Sequence, residues 1–225
     1  MGFVDMQQAM DERHSVRHYK EQPLEEKTVQ EMEKAIEEVN RKSGLHIQLL
    51  CEEPIALSGG TVRYGRFHGA KNYLAMVGKK TADLMERVGY YGEELVLRGK
   101  CMGLDSCWVA MTYQKVSGSY QLDPEEELVC VIALGYGMSH GVPHKSKPVQ
   151  RLCRYKPPMP EWFHRGMEAA MLAPTAMNQQ KFLLTHVEDY RVQALAERAI
   201  YSDLDLGIVK YHFELGAGVP VQWER

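Results

Sequence analysis

After Pro23 the apolar residues Val29, Met32, Ile36 and Val39 recur at three- and four-residue steps, while Glu, Lys and Gln fill the opposite face. That spacing predicts an amphipathic helix, which Ser43-Gly44 ends. Ahead of it, Asp5 is placed to cap a short helix carrying Met6, Ala9 and Met10 and closing near Asp11-Glu12-Arg13. Leu45 to Cys51 reads as a strand, Pro54 to Gly69 as a glycine-rich loop, and Tyr73 to Val77 as a second strand. A long helix from about Thr81 carries Leu84, Val88, Leu95 and Met102, with Gly103 as its stop. Ser106 to Ala110 and Leu128 to Leu134 read as further strands; the latter has no polar residue, as expected of a central strand covered on both faces. Gly135 to Pro160, rich in glycine, histidine, proline and basic residues, reads as a long loop of the kind that carries function. A helix (Trp162 to Leu172), a polar turn (Ala173 to Gln180), a strand (Phe182 to Val187) and helical segments to Gly216 complete the chain.

The chain also resembles itself. Leu24 to Glu53 set against Met159 to Glu188, an offset of 135, pairs Met32 with Met167, Glu33 with Glu168, Ala35 with Ala170 and Leu49 with Leu184. An offset of 115 pairs Gly92 with Gly207 and Gly103 with Gly218, with an amphipathic helix between each glycine pair. Any two helix-strand units align to some degree, so the match stands either as chance or as two half-modules, residues 1–150 and a shorter 151–225, related like the subunits of a dimer.

Composition narrows the class. At 225 residues, 44% hydrophobic and 25% charged, the chain matches globular usage and can bury about 70% of its unfolded surface. With 27 basic and 30 acidic residues the net charge is -3, which gives no global field for nucleic acid. No apolar run is long enough to span a bilayer, the first residues lack an export signal, and Met6 stands where myristoylation needs Ser or Thr. Five cysteines, none in a Cys-x-x-Cys pair, read as reduced thiols. The expectation is a soluble cytoplasmic protein with no membrane partner.

Three stretches could carry chemistry. Arg13-His14-Ser15-Val16-Arg17 places two guanidiniums around a hydroxyl, a donor set for a phosphate or a planar anionic ring edge, although such short patterns are often solvated turns. In Ala173-Pro174-Thr175-Ala176-Met177-Asn178-Gln179-Gln180, Thr175, Asn178 and Gln180 offer donors and acceptors from one tight turn. The third is the helix ending in Gly103-Leu104-Asp105-Ser106-Cys107-Trp108.

Taken in order along the chain, these stretches resemble the nitroreductase family of FMN-dependent oxidoreductases. That family carries an Arg-Arg/His-Ser-Ile/Val-Arg motif, an Ala-Pro-Ser-x-x-Asn-x-Gln turn and a helix ending in Gly-Leu-Gly/Asp-x-x-Trp. The chain looks closest to the subgroup of putative TM nitroreductases. The resemblance implies an α+β fold, with a mixed, largely antiparallel sheet flanked by helices and two half-modules forming an internal pseudo-dimer. In one respect the chain departs from the pattern. The place where the family's turn normally follows the first long helix holds Glu38-Val39-Asn40-Arg41-Lys42-Ser43, and the intact turn sits at 173–180. Family members are dimers with flavin at the subunit interface, so the resemblance implies one composite flavin site per chain, the Arg motif from one half and the turn from the other.

Carried over residue by residue, Arg13, His14, Ser15 and Arg17 are expected at the FMN phosphate, ribityl chain and pyrimidine edge, with Arg17 stabilising negative charge near N1. Pro174, Thr175 and Asn178 match the partner turn, with Thr in place of the usual Ser. Val109, Ala110 and Met111 match the segment beside N5, without the family's Glu-Gly. Lys145 and Lys147 match a late basic motif that reaches the phosphate. No side chain is expected to be catalytic, because the flavin carries the hydride chemistry. The implied activity passes electrons from NADH or NADPH to a small electron-poor acceptor, nitroaromatic or quinone, by a ping-pong mechanism. Reductive dehalogenation on the same cofactor, or flavin or ligand binding without catalysis, are the alternatives.

Other features read as structural. His140 and His144 are four apart, but Gly141 and Pro143 between them argue against a helical metal pair. Asp83, Glu86 and the run Glu125-Glu126-Glu127 read as helix-start or solvated charges, and Trp108, Tyr90 and Tyr91 as core.

Overall fold

The computed structural model describes residues 3–58 and 66–224. Part of the expected glycine-rich loop, residues 59–65, and the side chain of Asp5, expected as a cap, lie outside the described residues. The chain forms two compact units, Met1–Leu84 with Leu95–Val142, and Met85–Glu94 with Pro143–Arg225.

The first unit contains α1 (Phe3–Glu12), α2 (Glu26–Ser43), β1 (Gln48–Leu50), β2 (Asn72–Lys79), the two ends of α3 (Leu84–Cys101), β3 (Asp105–Val109) and β4 (Glu126–Gly135). Its sheet has the order β1-β2-β4-β3 and is antiparallel at every pair. From Leu128 to Gly135 every residue of β4 is buried, as its unbroken apolar run dictates. The predicted face of α2 is the one buried, through Met32, Ala35, Ile36 and Val39. Its end is set by Gly44, whose left-handed φ of 67° lets its N–H bond to the Asn40 carbonyl at 2.8 Å. The Asn40 amide then grips Ile47 at both main-chain atoms, at 2.9 Å each, and fixes the entry to β1.

Glu126 departs from its reading as a solvated charge. It is buried at the start of β4, 2.9 Å from His46 Nδ1 and accepting from Asp123 N–H at 3.1 Å. Burial alone would raise its pKa, but these contacts reverse the sign and hold it below the ordinary carboxylate range.

The second unit contains β5 (Cys153–Arg154), α4 (Glu161–Ala170), β6 (Phe182–His186), β7 (Arg191–Ala196), α5 (Ser202–Ala217), β8 (Gln222–Glu224) and the middle of α3. Its sheet order is β5-β6-β7-β8, antiparallel between β6 and β7 and parallel at the other two pairs. β7 replaces the expected helix. Arg191-Val192-Gln193-Ala194-Leu195-Ala196 has good helix formers, yet only Val192 and Ala194 are buried, a period of two imposed by pairing with β6. The expected loop at 135–160 likewise holds β5 and a short 3-10 turn at Val149–Arg151.

The second unit is organised around α5, which is buried along most of its length. A Cβ on Gly207 would lie 2.0 Å from the Glu86 carbonyl oxygen, and one on Gly89 would lie 2.0 Å from that of Leu204, so α3 and α5 meet backbone to backbone. On its other side, a Cβ on Gly216 would lie 2.3 Å from the Ala169 Cβ of α4. The α3 seam is polar. Lys210 Nζ lies 2.5 Å from Glu86, the Tyr90 hydroxyl donates to Glu214 at 2.5 Å, and the fully buried His212 and Glu93 are 2.9 Å apart. Tyr90 and Tyr91, expected in the core, are half-buried along this seam.

The two units share an order of elements. Both units run helix, strand, strand, helix, strand: α2-β1-β2-α3-β3 and α4-β6-β7-α5-β8. The first two strands of each set are antiparallel neighbours. The second and last run in the same sense in each: β7 and β8 pair in parallel, while β2 and β3 are both antiparallel to the β4 between them.

Gly207→Ala is expected to lower the unfolding free energy by about 1 to 3 kcal/mol, because the added methyl has only main chain to displace. A urea midpoint equal to that of the native protein would show that the helices part without cost.

Candidate functional site

In the first unit the chain leaves α1 and runs alongside β3. Ser15 forms a parallel bridge with Ser106, and Val16 N–H donates to the Ser106 carbonyl at 2.9 Å. Extended chain alternates its side chains. Val16 enters the core while Ser15 and Arg17 face out; past the exposed His18 the alternation ends, and Tyr19 is buried with its hydroxyl donating to the Val16 carbonyl at 2.7 Å. Burial pushes the Tyr19 phenol well above its ordinary value, so it acts only as a neutral donor. Arg13 is 4% exposed, and His14 is half-buried beside it. Burial first, then the Arg13 guanidinium, hold His14 below the usual imidazole range.

Val109 ends β3, buried, followed by the half-buried Ala110 and a Met111 that is 65% exposed. From Ser106 to Val109 a strand advances about 10 Å. The Arg motif joins β3 at Ser106 and runs parallel to it, in the direction of the 109–111 segment.

In the second unit the turn at 173–180 is strained. Met177, Asn178 and Gln180 all have positive φ, at 51°, 53° and 46°. None is glycine, and each such residue costs about 1 kcal/mol or more. The surroundings hold it by hydrogen bonds. Asp205, buried in the first turn of α5, accepts from Ala176 N–H and from the Gln179 amide, both at 2.8 Å. Thr175 Oγ1 accepts from Gln180 N–H at 3.0 Å. The buried Gln180 amide accepts from Lys147 N–H at 2.7 Å and donates to the Lys145 carbonyl and to Asn178 Oδ1, each at 2.8 Å.

Lys147 Nζ donates to the carbonyls of Gln179 and Gln180 at 2.7 and 2.8 Å, and Asn178 Nδ2 donates to the Lys145 carbonyl at 2.8 Å. The Lys147 ammonium thus braces the turn, while the Lys145 side chain is exposed and Pro174 and Thr175 are half-buried. His144 Nε2 lies 3.0 Å from the Met171 carbonyl, and Ser146 reaches the same oxygen at 3.4 Å.

A family model described as Putative TM nitroreductase matches residues 5–217. The chain belongs to that family. The crystal structure of a putative nitroreductase from Thermotoga maritima has a TM-score of 0.67 to this member at 19% identity, covering 96% of this chain and 85% of that one. A putative nitroreductase in complex with FMN from Desulfovibrio desulfuricans has a TM-score of 0.52 at 17% identity, with 65% and 94% covered. Another FMN complex, from Exiguobacterium sibiricum, has a TM-score of 0.50 at 12% identity, with 67% and 95% covered. These likenesses show the nitroreductase fold. No curated protein matches the chain.

Within this nitroreductase-family chain, the first unit brings Arg13, His14, Ser15 and Arg17 into one segment, with Val109, Ala110 and Met111 at the far end of β3. The second unit brings Lys145, Lys147, Thr175 and Asn178 together around Gln180. Sequence reasoning missed Gln180 as the hub and Asp205 as the anchor. Asp205 carried only the signal of an acid in the first turn of a helix, which is usually a solvated charge.

Burial pushes the Asp205 carboxyl up to about 6, against the lowering pull of Gln179 and Ala176 N–H. A folded pKa above the unfolded value of 3.8 means that the folded state holds the proton longer. The contribution of Asp205 to native stability is therefore expected to fall as pH rises from about 4 to about 6. Asp205→Asn, which cannot ionise, is expected to flatten that fall while losing about 1 to 2 kcal/mol at low pH, since one of the two facing donors is left unmet. Urea midpoints of both proteins across this range check it, and parallel curves would exclude Asp205 as the source.

Proposed function

We propose that this chain is an FMN-dependent oxidoreductase that passes electrons from NADH or NADPH to a small electron-poor acceptor of nitroaromatic or quinone type. The observation that carries the reading is the Arg13–Arg17 segment, held on β3 with one guanidinium buried and Ser15 and Arg17 at the surface, in a member of a nitroreductase family. Two of the similar folds are complexes with FMN, which supports that cofactor. The donor chemistry fits it. Guanidiniums and a hydroxyl suit a phosphomonoester carrying nearly two negative charges and the polar edge of a planar ring.

When bound, FMN supplies the hydride relay between nicotinamide and acceptor, in ping-pong order. The protein's part is to bind, orient and set charge. Arg13, His14 and Ser15 hold the phosphate and ribityl chain, Arg17 places positive charge where negative charge develops, and the 109–111 backbone runs beside the reacting ring. Lys145 and Thr175 offer donors within the second unit. Lys147, Pro174 and Asn178 act by shaping the turn. The shared order of elements in the two units supports reading the chain as two related halves with one FMN per chain.

A second reading, flavin or ligand binding without turnover, is favoured by one observation. The Lys147 ammonium and the Asn178 amide, both expected at the cofactor, are used inside their own unit.

The purified protein is expected to show a flavin absorption spectrum with one FMN per chain, and to oxidise NADH or NADPH when a nitroaromatic or quinone is present. Flavin that neither nicotinamide reduces would select the binding reading, and a protein that takes up no FMN would remove the oxidoreductase reading and leave ligand binding in the lead. Arg17→Ala should weaken FMN by about 1.5 to 3 kcal/mol, the worth of a charge-assisted hydrogen bond. Equal affinity in a titration would take Arg17 out of the site.

A further inference from the structure

His140 stands at the surface of the first unit, but its place is fixed from beneath. The segment that carries it begins at Gly137, whose N–H donates to Asp105 Oδ2 at 3.2 Å and which bridges to Tyr19. Met138 N–H donates to the His18 carbonyl at 2.8 Å. A Cβ on Gly137 would lie 2.5 Å from the Ser139 carbonyl oxygen and 2.7 Å from Asp105 Oδ2. Gly141 has φ +75°, and a Cβ there would lie 2.8 Å from the His14 Cβ and 3.1 Å from the Ser15 carbonyl oxygen. Two positions that exclude a side chain therefore press this segment against the Arg motif on one side and Asp105 on the other, with His140 between them.

Asp105 is buried, and its oxygens are met by Lys100 Nζ at 3.2 Å, Gly137 N–H, and His140 Nδ1 at 3.1 and 3.3 Å. An ionised carboxylate can only accept, so in the neutral ring Nδ1 carries the proton and Nε2, across the ring, faces a ligand; Nε2 becomes a donor when the ring takes a second proton and binds as the imidazolium. The His140 side chain is 77% exposed. An ion pair this exposed contributes little to stability, so the arrangement is poorly explained as a structural brace. It has the form of an imidazole whose tautomer and direction are set by a carboxylate behind it. The groups around it are Lys100 from α3, Asp105 from β3, and Arg13 and His14 from the segment after α1. The charges acting at the neighbouring His14 are Arg13 and Lys100 against Asp105, an excess of positive charge that favours an anion.

We propose that His140, positioned by Asp105, is a phosphate-binding residue of this chain, donating from Nε2 to the phosphomonoester of the flavin beside Arg13, His14 and Ser15. This rests on the FMN reading above and adds a residue to it. Asp105 is a positioning residue. It touches the ligand only through His140.

The test compares FMN with riboflavin, which lacks the phosphate, by titration of the full-length protein and of His140→Ala. FMN affinity is expected to fall about tenfold or more, the worth of one charge-assisted hydrogen bond, with riboflavin affinity unchanged. Equal loss for both ligands, or no loss for either, overturns the proposal. Asp105→Asn is expected to give the same selective loss, and to move the His140 ring proton from Nδ1 in the nitrogen NMR spectrum of histidine-labelled protein. If that variant does not fold, the exposed His140→Ala still decides.

A native protein that binds neither flavin would defeat the FMN reading and remove flavin as the ligand of His140, leaving its phosphate binding to be tested alone. Inorganic phosphate should then still shift the His140 Nε2 resonance, and a resonance that stays in place would end the proposal.

Discussion

The hydrogen bond from Val16 N–H to the Ser106 carbonyl sets the register on which the first unit's charged residues depend. A short segment after a helix has no direction of its own. Docked on β3, it inherits the pleat of the strand, and the alternation sends Val16 inward while Ser15 and Arg17 remain outside. Tyr19 then closes the segment from below by bonding the Val16 carbonyl. The backbone of the motif is thus held by main chain and core, with Ser15 and Arg17 at the surface and Arg13 buried. The same strand carries Asp105 one residue earlier, so one register also fixes the position of the carboxylate beneath the 137–141 segment.

The second unit solves a related problem by different means. Its turn at 175–180 has no strand to lie on and is bent through left-handed conformations that its residues ordinarily avoid. Such a bend persists only where neighbours over-determine it, and here nearly every polar atom of the turn is committed. Gln180 ties the 145–147 segment to the turn, Asp205 holds the other side, and the Lys147 ammonium lies across two carbonyls. A basic residue that a motif suggests for an anion can therefore be consumed in building the surface that the motif presents.

The strongly periodic elements were legible in the sequence because their burial and their local pattern agree. The apolar face of α2, the glycine after it and the unbroken run of β4 all say locally what the fold does. β7 was not legible, since alanine, leucine and glutamine suit a helix until β6 lies alongside. Glu126 likewise looks solvated until His46, eighty residues away, is folded against it. The Arg motif and the polar turn stood out as candidates only through their order along the chain, each alone being a common pattern. Their supports, Asp105, Gln180 and Asp205, did not. A carboxylate or amide becomes an anchor only when distant chain delivers donors to it, and nothing within a few residues records that.

The two sheets differ in membership more than in direction. β4 lies between β2 and β3 in the first unit, while the matching strands of the second, β7 and β8, pair directly. A strand set between two parallel strands and antiparallel to both leaves the sense of each unchanged. A lineage carrying both arrangements could therefore gain or lose that strand without reversing any helix or rerouting any connection among the five shared elements. The width of such a sheet can thus change through a single added or lost strand, a small change of sequence for a large change of structure.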